Sequence, residues 1–304
     1  MIFSEIKERD NEGLALLKEE LGIEDIFIWA NEKVSGWDAR LVWGDWGSRR
    51  RVILSEGNVV ALNFWNMKLD RIPKAIESFS HLQGLNLSNT GLQKLDLGNI
   101  KNIESLKKIT VAYNSITEIN GSHLDKLKNV ISVNLGCNQL TSIDLAPLSG
   151  LTNLENFYFY ENPIEQIDLK PLSNLENLIR IALGGNKLTE IDLSPLKEIS
   201  SLEEIYLSGN DLKTINLEPI KDLFHLKVLF LDYNQVSSFD FKPIINLPIE
   251  DLRIGGNPYK EIDFETVSKM KSLKKLYLCD ANLSEEALKQ LDVLQEKGID
   301  IKCR

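Results

Sequence analysis

The sequence is poor in the residues that support disulfide and metal chemistry. Its 304 residues include only three cysteines and three histidines. An odd, sparse set of cysteines argues against a disulfide framework and fits a reducing compartment. No two cysteines or histidines have the spacing of zinc ligands, and no phosphate-binding glycine loop of the Walker type occurs. We therefore expect no metal, no cofactor and no enzymatic activity.

Positive charge and long apolar runs are also scarce. Lysine and arginine number 35 against 45 aspartates and glutamates, so the formal net charge is -10. Because nucleic acids attract clustered positive charge, this balance disfavours a nucleic-acid partner. The one compact basic run, Arg49-Arg50-Arg51, is interpreted as a solvated turn in preference to a phosphate or membrane contact. No run approaches the ~18 apolar residues of a membrane span. The charged first ten residues lack the apolar stretch of a secretory signal, so a cytoplasmic location is expected.

What the sequence does contain is a repeat. The pattern L-x-x-L-x-L-x-x-N-x-L recurs ten times at spacings of 23 or 24 residues, with first residues Val59, Leu82, Leu106, Val130, Leu154, Leu178, Leu202, Leu226, Ile249 and Leu273. Such a period indicates one small structural unit that is stacked many times. In the fifth unit, Leu154, Phe157 and Phe159 alternate along an extended segment, so they are expected to point into a common core.

Three polar or constrained columns accompany the apolar ones. An asparagine amide has donors and an acceptor, so it can satisfy buried backbone groups at the turn after each strand; this column is Asn114, Asn138, Asn162, Asn186, Asn210, Asn234 and Asn257. Aspartates on the return leg are expected to accept backbone N–H bonds where a short helical turn opens: Asp96, Asp144, Asp168, Asp192, Asp240 and Asp263. Cation binding by this column is the disfavoured alternative, since one carboxylate per repeat is too few for calcium. Prolines early in the same turn form a third column: Pro147, Pro171, Pro195, Pro219 and Pro243.

With these columns the chain resembles the leucine-rich-repeat family over about residues 59 to 294. The resemblance implies an α/β fold, a right-handed curved solenoid with a parallel concave sheet, short helical or 3-10 segments on the convex side, and a cap at each end. The return leg Ile-Asp-Leu-x-Pro-Leu, as at Ile143–Leu148, looks like that of intracellular or microbial members. The interpretation is a non-catalytic module that binds a partner protein or peptide on the concave face.

Both ends of a stacked solenoid need covering, because each exposes apolar surface and a strand edge. We predict an N-terminal cap over residues 1–58, ten repeats over 59–283 and a helical C-terminal cap over 284–304. The first cap should contain a helix from about Asp10 to Leu21, ended by Gly22. A buried cap core is favoured over a carbohydrate or peptide platform for its tryptophans, which are Trp29, Trp37, Trp43 and Trp46. The second cap should open at Ser284, end its helix at Gly298 and close with a strand at Ile299 and Ile301.

The side chains that point out of the sheet differ from repeat to repeat, so they are the candidates for contact with a partner. The residue between the second and third apolar positions of each repeat points out of the concave sheet. Aromatic residues collect there and at nearby positions, and such side chains supply many interface hot spots. The predicted partner-binding residues are Trp65, Tyr113, Tyr158, Tyr160, Tyr206, Phe230, Asp232, Tyr233, Arg253 and Tyr277. Glycines flanking Tyr206 and Arg253 are expected to leave hollows that a partner side chain could fill.

Two other functions remain open at this point. One is an extracellular or periplasmic sensor or adhesin for a peptide or carbohydrate, with glycosylation sequons at Asn86, Asn120 and Asn282. A glycan on Asn86 would obstruct the concave face, which counts against it. The other is the scaffold subunit of an enzyme. The repeat pattern specifies neither the partner nor the oligomeric state.

Overall fold

The computed structural model of the chain describes residues 6–23, 28–30, 51–259, 261–279 and 283–302. Trp37, Trp43, Trp46, Arg49 and Arg50, on which part of the predicted N-terminal cap depends, lie outside these ranges, as does the sequon residue Asn282. The chain forms two compact units, residues 1–139 and 140–304, which are described in turn.

In the first unit, most strands are parallel and follow one another in a single sheet. Its strands are β1 Ile28–Ala30, β2 Arg51–Ser55, β3 Asn58–Asn63, β4 Gly84–Asn86, β6 Lys108–Thr110 and β8 Ser132–Asn134, with only the β2–β3 pairing antiparallel. A second parallel sheet, which the repeat pattern does not predict, pairs β5 Lys94–Asp96 with β7 Glu118–Asn120 on the return legs. The 3-10 segments are Lys74–Ser78, Gly98–Ile100 and Gly121–Lys126.

The predicted N-terminal helix is present as α1, Glu8–Leu21, and begins two residues earlier than expected. Gly22, at φ 62°, ends it as predicted. The buried carboxylate of Asp10 accepts a hydrogen bond from the Val59 N–H at 2.5 Å. At the other end of α1, the Glu20 carboxylate accepts from the N–H groups of Lys74 and Ala75, both at 3.0 Å. The helix is therefore fastened to the first repeat at two points.

In the second unit, seven parallel strands follow one another in chain order. They are β9 Asn156–Tyr158, β10 Arg180–Ala182, β11 Glu204–Tyr206, β12 Val228–Phe230, β13 Asp251–Arg253, β14 Lys275–Tyr277 and β15 Asp300–Lys302. Each return leg contains a short helical segment: Ala146–Gly150, Lys170–Leu172, Ser194–Leu196, Glu218–Ile220, Lys242–Ile244 and the α-helical turn α2, Phe264–Val267. The unit ends with helix α3, Glu285–Glu296, and β15, which confirms the predicted C-terminal helix and closing strand.

The apolar columns and all of the ladder asparagines except the half-buried Asn114 are buried as predicted. Leu154, Phe157 and Phe159 are fully inaccessible to solvent. Asn186 shows how the asparagine ladder works, because its Nδ2 donates to the carbonyls of Phe159 at 3.0 Å and Leu183 at 2.7 Å. Its Oδ1 accepts from the N–H of the preceding ladder asparagine, Asn162, at 3.0 Å. The ladder thus satisfies backbone groups in two successive repeats.

The aspartate and proline columns also have their predicted roles. All six aspartates accept a backbone N–H at the start of the following helical segment, as Asp192 does from Ser194 at 2.8 Å. Side-chain and backbone hydrogen bonds from Ser194 hold the pKa of Asp192 below its ordinary value. Pro195 and its equivalents occupy the first turn of each 3-10 segment, where a missing N–H is tolerated.

Candidate functional site

A row of four side chains crosses the outward face of the sheet in the second unit. Tyr206, Phe230, Arg253 and Tyr277 are register partners on β11 to β14. The rings of Tyr206 and Phe230 meet edge to face with centroids 4.8 Å apart. The Arg253 guanidinium carbon lies 3.8 Å from the Phe230 centroid and 4.1 Å from that of Tyr277. We call these four residues the aromatic row.

An ion-pair network adjoins the aromatic row on β10 and β11. Arg180 Nη2 donates to Glu204 Oε1 at 2.6 Å, and its Nη1 donates to Asn156 Oδ1 at 3.0 Å and to the Tyr158 hydroxyl at 2.8 Å. The Tyr206 hydroxyl donates to Glu204 Oε2 at 2.5 Å. Tyr158 and Tyr206 are therefore tied to the same charged pair.

The electrostatics of this network follow from burial and hydrogen bonding. Burial, together with the bond to Glu204, raises the pKa of Tyr206 to about 12. The hydrogen bond to Glu204 outweighs desolvation and raises the pKa of Arg180. Burial on its own would raise the pKa of Glu204, but hydrogen bonds from Arg180 and Tyr206 hold it below its ordinary value. The network is thus a stable ion pair with a neutral tyrosine at neutral pH.

The remaining predicted residues of the second unit lie beside the row. Asp232 Oδ1 accepts from the Ser208 hydroxyl at 2.5 Å, and Tyr160 is half-buried on the outward face. Tyr233 is 52% exposed and has a left-handed backbone, with φ 54°. A Cβ added to Gly256 would lie 2.5 Å from Tyr233 Cδ1, so this ring covers the backbone of the next repeat.

The two predicted residues of the first unit contact each other. Trp65 and Tyr113 form an edge-to-face pair with centroids 6.0 Å apart. Tyr113 is 53% exposed at φ 58°, in the same turn position as Tyr233. Bulky residues seldom adopt this backbone region, because Cβ approaches the neighbouring carbonyl oxygen.

The polar outward positions of the first repeats are buried. Asn86 Oδ1 accepts from the Ser88 N–H at 2.9 Å, and the hydroxyls of Ser88 and Thr110 lie 3.1 Å apart. Asn63, Asn86 and Thr110 are each less than a tenth exposed. These side chains therefore fix local geometry instead of offering polar groups to a partner.

The expectation of glycine hollows beside the outward side chains is wrong. A Cβ on Gly255 would lie 2.4 Å from the Cys279 carbonyl oxygen, and one on Gly184 would lie 2.9 Å from that of Ser208. The space next to each glycine is filled by the backbone of the following repeat. These glycines permit close stacking and form no pocket.

The outward column that begins each strand was not predicted from the sequence. This column contains Asn156, Arg180, Glu204 and Asp251, each two residues before a predicted outward position. The two-residue spacing could have identified this column, because side chains two residues apart on a strand lie on the same face of the sheet. Arg180 and Glu204 are also 24 residues apart, which places them side by side in register.

Within the described ranges, no group of three or more histidine, cysteine, aspartate or glutamate side chains could hold a metal ion. No helix in the described part of the chain has the length and apolarity needed to cross a membrane.

Comparisons with known proteins identify the repeat. The leucine rich repeat family matches residues 104–164, 160–212 and 176–236. An internalin, InlF, from Listeria monocytogenes is similar in structure, with a TM-score of 0.60 and 25% identity over 76% of this chain and 70% of that one. For the internalin C2 of the same species the TM-score is 0.52 and the identity 27%, over 67% of this chain and 80% of that one.

A more distant structure shares the fold alone. TLR13, in the TLR13–ssRNA13 complex, gives a TM-score of 0.60 at 22% identity, over 76% of this chain and 32% of TLR13. No curated protein matches the sequence.

Proposed function

Because the chain is a leucine-rich-repeat protein, we propose that it is a non-catalytic interaction module whose second unit captures a protein or peptide on the outward face of its sheet. Leucine-rich-repeat proteins generally mediate protein–protein interaction. The observation that carries the finer proposal is the aromatic row, which joins four adjacent strands through direct ring and guanidinium contacts.

The row has the properties of an interface hot spot. Its side chains are half-buried, so each has large contact area left for a partner. Tyr206 and Arg253 are also held by Glu204 and Asp251 on the same strands. Because these side chains are already ordered, they lose little rotamer entropy when a partner binds. Tyr158, held by Arg180, extends the same face by two strands.

Protein is favoured over nucleic acid as the partner. Arg180 is neutralised by Glu204, and Asp251 lies beside Arg253, so the described part of this face has no continuous basic stripe. The chain as a whole is acidic at -10. The RNA in the TLR13 complex belongs to that protein, and a single-stranded RNA probe provides the direct comparison.

A cytoplasmic location remains part of the proposal, and the sensor or adhesin is its alternative. The buried side chain of Asn86 counts against a glycan at that sequon, since attachment there needs an accessible amide. Asn120 is exposed, so a glycan could be attached at that sequon. Fractionation of the native cell with an antibody to this chain distinguishes the two locations.

The interface is tested with short random peptides displayed on phage and selected on the intact protein. Peptides are then measured by fluorescence polarisation against wild type and the double variant Tyr158→Ala with Phe230→Ala. We expect the double variant to bind at least about tenfold more weakly, as loss of hot-spot residues does. The matched control is Phe224→Ala, because Phe224 is 61% exposed on the return leg of the same unit.

Equal affinity of the double variant and wild type, with folding unchanged by circular dichroism, would refute the proposed face. Stronger loss with Phe224→Ala than with the double variant would place the interface on the return legs. Binding of single-stranded RNA in competition with the peptides would argue against a protein partner.

A further inference from the structure

Arg253 lies inside the aromatic row, between Phe230 and Tyr277 on neighbouring strands. Its guanidinium carbon is about equally far from both ring centroids, at 3.8 Å and 4.1 Å. The two rings therefore cover opposite faces of the guanidinium plane, in a cation–π arrangement. The side chain is nevertheless 32% exposed, so the uncovered part is an edge of the plane.

The hydrogen bonding of Arg253 is incomplete. Its Nε donates to Asp251 Oδ1 on the same strand, at a long distance of 3.4 Å. In the part of the chain that the structure describes, its Nη1 and Nη2 groups donate no hydrogen bond. A guanidinium has five N–H donors in a fixed planar fork, so most of this donor capacity is unused.

Arg180 on the same face provides an internal comparison. Its Nη2 is bonded to Glu204, and its Nη1 to Asn156 and Tyr158. Arg180 is thus a structural cation whose donors are occupied within the sheet. Arg253 differs because its neighbours on the adjacent strands are rings, which cover its faces and accept no bond at its edge.

A partly buried cation with open donors has a specific chemical complement. A carboxylate can accept two parallel N–H bonds from one guanidinium, and such charge-assisted pairs are stronger than neutral hydrogen bonds. The flanking rings hold the plane of Arg253 in one orientation and remove water from its faces. The fork is therefore already oriented for a carboxylate that approaches from above the sheet.

We propose that Arg253 is the anion-recognition residue of this face and binds the side-chain carboxylate of an aspartate or glutamate in the partner protein. The inference rests on the proposed function, since it assumes that a protein or peptide occupies the outward face. It adds the chemistry of the partner segment: a carboxylate directed at Arg253, next to apolar groups that contact Phe230 and Tyr277.

The test uses the peptides selected on the intact protein. Selection should enrich aspartate or glutamate at one position. A synthetic peptide with glutamate there, and its glutamine counterpart, are measured against wild type, Arg253→Gln and Arg253→Lys. The matched control is Lys275→Gln, which removes one positive charge from an exposed residue of the adjacent strand and leaves the stack intact.

Replacing glutamate by glutamine in the peptide should weaken binding to wild type about 10- to 100-fold. The same replacement should cost less than about threefold with Arg253→Gln, because the carboxylate has lost its partner. Arg253→Lys should retain only part of the preference, since an ammonium lacks the planar fork. Lys275→Gln should keep the full preference.

Two results would overturn the inference. One is a selection without enrichment of acidic residues, and the other is an equal glutamate-to-glutamine effect in wild type and Arg253→Gln. Either result can occur while the double variant Tyr158→Ala with Phe230→Ala still weakens peptide binding. In that case the outward face is the binding surface, but Arg253 does not recognise a carboxylate. If the double variant binds normally, the proposed function itself fails.

Discussion

Replacing the buried Asn186 by alanine should destabilise the second unit, because its side chain satisfies backbone groups in two repeats. Its amide makes three short hydrogen bonds to buried backbone groups, at 2.7 to 3.0 Å. Alanine removes the amide but leaves the carbonyls of Phe159 and Leu183 and the N–H of Asn162 in place. The Phe159 carbonyl and the Asn162 N–H are then buried without this partner, far from water, whereas the Leu183 carbonyl still accepts from Asn210 Nδ2 at 3.0 Å.

The magnitude follows from the number of orphaned groups. An unsatisfied buried backbone group costs about 1–3 kcal/mol. At the lower end of that range, two groups give a loss of about 2 kcal/mol for Asn186→Ala. Because each repeat contacts mainly its neighbours, this loss should be concentrated in the repeats around residue 186.

The assay is urea unfolding followed by circular dichroism, together with amide hydrogen exchange to locate the weakened repeats. The matched control is Asn174→Ala, an exposed asparagine on a return leg of the same unit, which should change stability by less than about 0.5 kcal/mol. If Asn186→Ala changes the unfolding free energy as little as the control does, the ladder does not stabilise the stack as argued.

Three further predictions concern backbone geometry and ionisation. Gly209→Ala should cost about 1 kcal/mol for a left-handed backbone alone, since its Cβ would meet nothing closer than 3.5 Å. Gly255→Ala should cost more in the same urea assay, because its Cβ would overlap a carbonyl oxygen at 2.4 Å; equal costs would contradict the stacking argument. The folded-state pKa of Asp192 lies below its ordinary 3.8, so its stabilising contribution is complete above that pH and is lost as pH falls through the folded value. The stability gap between wild type and Asp192→Asn should therefore be larger at neutral pH than at about pH 2, and a constant gap would refute this. In an alkaline absorbance titration, the difference between wild type and Tyr206→Phe should appear near pH 12, and a difference centred near pH 10 would show that Tyr206 is not buried against Glu204.

The parts of the fold that could be predicted are those that each repeat determines by itself. A leucine, asparagine, aspartate or proline column has one structural role in every unit, so residues such as Asn186 and Asp192 were assigned correctly from spacing alone. The pairing of β5 with β7 has no such column, because the return-leg residues Lys94–Asp96 and Glu118–Asn120 do not differ in type from those of later repeats.

The sequence predicted which residues lie in the candidate site, but not which contacts they make with one another. The alternation rule found Tyr206, Phe230 and Tyr277, yet their ring contacts depend on side-chain rotamers that no spacing specifies. The sequence contains one indication of the left-handed backbone at Tyr233: Gly185 and Gly209 occupy the same turn position in earlier repeats. Tyrosine does not share the conformational preference of glycine, so sequence alone could not show that it tolerates this position.

The most direct test of the outward face as the binding surface is site-specific photocrosslinking. 4-Benzoylphenylalanine is placed at Tyr277, at the end of the aromatic row, or at Phe224 on the return leg, and each protein is irradiated with the tightest-binding selected peptide. Crosslinking at position 277 that unlabelled peptide suppresses, with none at position 224, is the expected result. Crosslinking at position 224 and not at 277 would contradict the account.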